Sequence, residues 1–170
     1  MPGRFPILLA AALGALLLFG AGGGLVSAAT PICGSELPEP REPSDLLRRF
    51  GRWAGVRHVD VFVKIVHRLH ETGSLPPCYL TKRRARESGW SPGSELWEHA
   101  PGTAIGGDRF GNLERRLPAQ YNGQYLEADL DYEGGRRGAK RLVFVPDRPG
   151  SGLIWITTDH YRTFEKVPLR

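Results

Sequence analysis

The spacing of apolar residues along this chain changes near residue 101 and divides it into a helical half and a stranded half. Val59, Phe62, Val63, Val66 and Leu69 recur at helical spacing, and Gly73 follows, so a helix is predicted between them. A short amphipathic piece at 44–53 predicts another, with Ser44 as its cap. Leu75-Pro76-Pro77 reads as a turn. Thr81 caps a predicted short helix at 82–88 that Gly89 closes, and 94–99 predicts one more, ended by Pro101. Beyond Pro101 the period is two. Leu126, Ala128, Leu130 and Tyr132 point one way from a predicted strand at 124–132, while Glu127, Asp129 and Asp131 point the other. Predicted strands at 141–145, 153–158 and 161–167 follow, with a Pro/Gly turn at 147–152. Helices first and strands after imply an α+β fold, N-terminal helices packed on a C-terminal antiparallel β-sheet. The apolar strand face must meet the helices, so Glu127 is expected to face away from the core.

The start of the chain has a different character. Arg4 precedes an apolar run over 5–19, glycines follow, and Val26-Ser27-Ala28 offers a small-residue cleavage site. This is the layout of a secretory signal peptide. A membrane anchor is the alternative, but the run is short, broken by glycine and has no comparable successor. The reading divides the chain into a signal peptide (1–28), an N-terminal arm with a short helix (29–57) and one folded domain (58–170). Removing the signal takes away one charge, Arg4, and leaves 22 basic and 18 acidic residues, a net charge of +4. A basic exported protein is predisposed towards polyanions, though charge alone selects no function. Cys33 and Cys78 are the only cysteines. In an exported chain such a pair reads as a disulfide, with two buried free thiols as the alternative. A two-Cys metal site lacks partners at ligand spacing, and no cofactor motif is present.

Candidate chemistry gathers in the stranded half. Glu127 and His160 stand on two predicted strands, with Arg137 and Arg141 between them in sequence. A carboxylate and an imidazole can remove one proton and deliver another, while guanidiniums hold a phosphate where charge builds up. Cleavage of RNA through its own 2′-hydroxyl needs such a set and no metal. Antiparallel pairing would return Arg137 and Arg141 to the side of the Glu127 strand. Lys82 begins a predicted helix, where free N–H groups already favour an anion. The Gly-rich stretch 104–114, containing Gly106, Gly107, Asp108, Phe110, Gly111 and Glu114, reads as a loop. Its backbone N–H groups and one carboxylate match the O6, N1–H and N2–H edge of guanine.

Taken together, 59–167 resembles the barnase and binase family of secreted bacterial guanyl-preferring ribonucleases. The resemblance rests on ordered matches: Leu75-Pro76, Tyr79-Leu80-Thr81-Lys82, Gly89-Trp90, Ala100-Pro101-Gly102, Ile105-Gly106-Gly107-Asp108, Leu117-Pro118, Glu127-Ala128-Asp129 and Thr157-Thr158-Asp159-His160-Tyr161. It implies the microbial ribonuclease fold, with Glu127 as general base and His160 as general acid. It implies Lys82, Arg137 and Arg141 as phosphate and transition-state ligands. Phe110, Gly111, Asn112, Leu113 and Glu114 would bind guanine, with Tyr161 lining the site and Asp129 and Asp108 in support. The implied substrate is single-stranded RNA, cut 3′ to guanine without cofactor or metal. The implied partner is a small acidic intracellular inhibitor, and the mature protein would be a secreted monomer with no membrane segment. The alternative is a catalytically weak RNA-binding or interaction protein of the same fold.

Three features depart from the family pattern. Leu113 stands where an arginine usually precedes the glutamate, the cysteine-bearing arm is extra, and the 147–152 turn is longer.

Overall fold

The computed structural model describes residues 29–169; the signal peptide expected at 1–28 lies outside them. Three α-helices precede most of the sheet: α1 (Asp45–Trp53), α2 (Val59–Thr72) and α3 (Lys82–Glu87). The strands are β1 (Tyr79–Leu80), β2 (Ala104–Arg109), β3 (Leu126–Asp129), β4 (Arg141–Phe144), β5 (Ile154–Thr157) and β6 (Glu165–Lys166). They form one six-stranded sheet in sequence order. β1 runs parallel to β2, and every later pairing is antiparallel. This is the α+β fold that the change of period implied.

Helix α2 forms because its apolar stripe has a sheet to bury against. Phe62, Val63, Ile65, Val66 and Leu69 are all buried, in one cluster with Ala128, Leu142 and Ile156 from the sheet. Gly73, at φ +69°, ends the helix with a left-handed residue whose N–H returns to the Leu69 carbonyl. Thr81 caps α3 through a bond from the Arg84 N–H to its hydroxyl. Ser44 occupies the cap position of α1 without capping it. Its hydroxyl instead meets the Glu42 carbonyl and His67 Nε2.

Several expectations are corrected. The stretch 104–114 is not one loop, because its first six residues form β2. Gly106 is glycine because the backbone passes so close that an added Cβ would lie 2.6 Å from Tyr79 and 2.9 Å from Ala128. Gly107, at φ +89°, sits in a bulge where the β2–β3 register shifts. The bulge turns the Asp108 carboxylate to the start of α3, where it accepts the Lys82 N–H at 2.8 Å. The strand expected at 124–132 is shorter, since Asp131 takes φ +60° and caps α2 through the Arg57 and His58 N–H groups. The last strand contracts to two residues.

Glu127 does face away from α2, whose stripe packs on the other face of the sheet, but not into solvent. It stands opposite Val143, which stands opposite Trp155. Those two belong to a second apolar cluster with Leu117, Tyr125 and Val145. Glu127 is consequently only 7% exposed.

Cys33 and Cys78 are bridged, with Cα atoms 5.5 Å apart and 45 residues of separation. The bridge ties the arm to the residue before β1, three positions ahead of the Thr81 cap. Cross-linking a loop of that length removes about 4 kcal/mol of unfolded-state entropy in the chain-entropy picture. Reduction, or Cys33→Ala with Cys78→Ala, is therefore expected to lower Tm by roughly 10 °C. A melt monitored with and without reductant checks this, and an unchanged Tm after verified reduction would refute it.

Candidate active site

One face of the sheet collects most of the polar side chains singled out in the sequence. Because β3, β4 and β5 pair in register, Asp129 lies opposite Arg141 and Arg141 opposite Thr157. Period two then puts Glu127, Asp129, Arg141 and Thr157 on the same face. Lys82 reaches Glu127 from the first turn of α3, with Nζ 2.7 Å from Oε1. The other carboxylate oxygen accepts the Tyr161 hydroxyl. Burial raises the Tyr161 pKa, and the Glu127 carboxylate beside it adds to the shift, so the phenol remains a proton donor to that oxygen.

Asp129 organises the arginines. Arg137 grips it with two bonds, Nε to Oδ2 at 2.7 Å and Nη2 to Oδ1 at 2.8 Å. Burial opposes the Arg137 charge, but the Asp129 carboxylate, followed by Glu127, outweighs it and raises the pKa. Arg141 Nε lies 3.0 Å from Asp129 Oδ1, close enough for attraction but out of line for a hydrogen bond. Its Nη1 donates to the Gly138 and Lys140 carbonyls at 2.7 Å. Asp129 and Arg141 are 2% and 4% exposed, so little water screens this group. Arg137 also lies 6.0 Å from the centre of the Trp90 ring.

His160 and Tyr161 follow β5 in two consecutive left-handed conformations, φ +60° and +71°. Such backbone costs of order 1–3 kcal/mol per residue unless its surroundings impose it. Here they do. Asp159 accepts bonds from the Arg162 and Thr163 N–H groups and from the Thr163 and Thr157 hydroxyls. The Thr157 hydroxyl in turn accepts the Tyr161 N–H at 3.0 Å. Bonding from the Thr163 side chain, with further backbone donors, holds the Asp159 pKa down to about 2. A depressed carboxylate stabilises the turn above its ordinary pKa and loses that contribution only as pH falls through about 2. The His160 ring is exposed, 5.1 Å from the Tyr161 ring.

The loop after β2 borders a cavity of about 220 Å³. Phe110, Gly111, Asn112, Leu113, Glu114 and Tyr161 all line it. Phe110 stacks on Tyr161, with ring centres 5.2 Å apart. The Asn112 side chain is buried. Its amide donates to the Leu117 carbonyl and to Asn122, and its oxygen accepts the Leu117 N–H, so it fixes the loop from inside. Leu113 is 92% exposed.

Sequence reasoning passed over two further lining residues, Arg116 and Phe164. Arg116 Nε donates to Glu114 Oε2 at 2.5 Å, and its Nη1 donates to the Arg162 carbonyl. It thereby joins the loop after β2 to the strap that carries His160. No local pattern marks Arg116: Glu114 is near it in sequence, but its other partner, the Arg162 carbonyl, comes from another part of the chain. Among the described residues no three His, Cys, Asp or Glu side chains are grouped as a metal site.

The family model for ribonuclease matches residues 65–168. A ribonuclease of Heyndrickxia coagulans is 46% identical over 94 residues, covering 55% of this chain and 83% of that protein. Ribonucleases of Bacillus intermedius and Bacillus pumilus are also 46% identical over 94 residues, covering 55% of this chain and 56% of theirs. Among solved structures, ribonuclease Sa2 with guanosine-2′-cyclophosphate is 37% identical, covers 38% of this chain and 65% of its own, and superposes with a TM-score of 0.32. The matched segment contains every one of the polar groups placed around Glu127 and Asp129, and the chain belongs to the ribonuclease family, among the relatives of barnase and binase.

Proposed function

We propose that this protein is a secreted endoribonuclease that cuts single-stranded RNA 3′ to guanine, with other purines second. The observation that carries the reading is the Lys82–Glu127–Tyr161 contact next to the Arg137–Asp129–Arg141 group, on the sheet face beside His160. Glu127 takes the proton from the ribose 2′-hydroxyl, and the oxygen attacks the adjacent phosphorus. Lys82, Arg137 and Arg141 stabilise the added negative charge. His160 protonates the departing 5′-oxygen, which leaves a 2′,3′-cyclic phosphate. In the slower hydrolysis the two groups exchange roles. DNA lacks the internal nucleophile and stays intact. The decisive assay incubates purified protein with RNA and with DNA in the presence of a chelator. Cyclic-phosphate products from RNA alone are expected; binding without cleavage would instead favour an RNA-binding role.

The recognition loop supports a base preference. Glu114 can accept the N1–H and N2–H of guanine while Arg116 holds its outer oxygen, and the Phe110–Tyr161 stack offers a flat wall. Leaving those donors unmatched in a desolvated site costs about 1–3 kcal/mol each. Glu114→Gln is therefore expected to lower the guanine-to-adenine ratio of kcat/KM by about tenfold. Leu113 supplies no charge, so Leu113→Arg is expected to tighten substrate binding, more at low salt than at high salt. Cleavage of guanosine- and adenosine-containing dinucleotides by the three proteins checks both parts. An unchanged ratio in Glu114→Gln would remove this loop from base reading.

The exported form would begin after the 1–28 segment, with 58–170 as the ribonuclease domain and the arm as an addition to it. No described helix is long and apolar enough to cross a membrane. A monomer with a small acidic inhibitor in the producing cell completes the proposal, since the basic cleft would suit an acidic contact face.

A further inference from the structure

Between β3 and β4 the chain makes an eleven-residue connection, 130–140, that carries Arg137 at its seventh subsequent position after Leu130. The connection contains Gly134, Gly135 and Gly138, the first two at positive φ, and is intrinsically loose. Asp129 orients the Arg137 guanidinium, but something else must fix the backbone from which it projects. On one side Glu95 Oε1 accepts the Gly135 N–H at 2.8 Å. On the other side stands a short piece, 55–58, where the arm meets the folded domain, outside the segment that the ribonuclease family model matches.

That piece makes a dense set of contacts. The Arg57 guanidinium donates through Nη1 to the Glu133 carboxylate and through Nη2 to the Asp131 carbonyl at 2.8 Å. The Arg57 and His58 N–H groups both bond the Asp131 carboxylate. His58 Nε2 lies 2.7 Å from Glu133 Oε2. From the other end of the connection, Lys140 Nζ donates to the Gly55 carbonyl at 2.5 Å and to Asp131 Oδ2 at 2.7 Å. The clamp therefore seizes the connection at 131, 133 and 140, on both sides of Arg137 and next to Arg141.

We propose that Arg57 is a positioning residue for the phosphate-binding arginines: it acts through Glu133 and Asp131 to hold the connection that presents Arg137 and Arg141. This rests on the reading of those two arginines as phosphate ligands. The pairing is exposed, with the Arg57 and Glu133 side chains 56% and 40% accessible. Exposed pairs add little to global stability. A bridge that is weak as a staple can still matter as a guide, because small misplacements in a site are costly to rate.

The test uses the full mature protein, with Arg57→Ala, Arg57→Lys, Glu133→Gln and the Arg57→Ala/Glu133→Gln double variant. For Arg57→Ala, kcat on a guanosine-containing dinucleotide is expected to fall about tenfold, with KM changed less than about twofold and Tm nearly unchanged. Arg57→Lys should recover part of the loss. The double variant should lose less than the two single losses combined, since both changes break the Arg57–Glu133 contact. Affinity for inorganic phosphate, measured by titration calorimetry, should weaken several-fold in Arg57→Ala. A kcat within twofold of wild type, or a loss that simply follows a fall in Tm, overturns the proposal. Should the wild type fail to cleave RNA, the ribonuclease reading fails by itself. Phosphate affinity then still decides the role of Arg57, and equal affinity in wild type and Arg57→Ala rejects it.

Discussion

Glu127→Gln and His160→Ala are each expected to lower kcat/KM on RNA by about 100-fold or more, the range that a positioned acid or base contributes. Glutamine keeps the shape of Glu127 and can still meet Tyr161 and Lys82, so the loss would come from chemistry rather than collapse. His160 is exposed and its side chain makes no hydrogen bond among the described residues, so its removal should leave Tm almost unchanged. The proposed mechanism needs the base ionised and the acid protonated, so a bell-shaped pH profile is expected of the wild type. Glu127→Gln should lose the acidic limb and His160→Ala the alkaline limb. The measurement is kcat/KM across mildly acid to mildly alkaline pH, with Tm recorded for each protein. Near wild-type turnover in His160→Ala would remove it from the general-acid role. A flat wild-type profile where chemistry limits the rate would count against the pair.

Asp129→Ala is expected to destabilise the protein strongly. The carboxylate is buried between Arg137 and Arg141, and Arg141 is itself buried. Its removal leaves a cationic side chain without its partner in a poorly hydrated place, which costs about 3–5 kcal/mol. The same change frees the Arg137 guanidinium from its two-pronged grip, so activity should fall as well. Asp129→Asn separates the two consequences. The amide can still accept one bond from Arg137 but supplies no charge, so it should remain folded with reduced activity. Denaturant unfolding of the three proteins, with cleavage assayed where all are folded, provides the test. A stability for Asp129→Ala within about 1 kcal/mol of wild type would show that Arg141 is compensated in another way.

The legible parts of this protein are those in which one short stretch carries its own instructions. Helix α2 could be read from its stripe and its terminal glycine, because both act within a few residues. The Thr81 cap of α3 was legible for the same reason. The site motifs were legible because their residues stand in ordered runs that resemble a known family. Strand β2 was hidden by its glycines, which look like loop residues until Tyr79 and Ala128 are seen pressing against Gly106. That the Asn112 side chain braces its loop from inside was hidden too, because its bonds to Leu117 and Asn122 depend on how the loop folds back on itself.

From sequence alone came the α+β order of elements, the pairing of the two cysteines as the preferred reading, and the identity of the residues around the site. These follow from period, spacing and residue chemistry, all of which are local or carried by motif. Tertiary structure alone decided that Glu127 lies buried between Lys82 and Tyr161, that Asp129 holds two arginines, and that Arg116 joins Glu114 to the His160 strap. It alone placed Arg57 against Glu133, 76 residues away. The Lys82–Glu127, Tyr161–Glu127, Arg116–Arg162 and Arg57–Glu133 contacts join segments far apart in the chain. Their existence depends on sheet register and on how the arm is anchored, and neither is written in the pattern of any one segment.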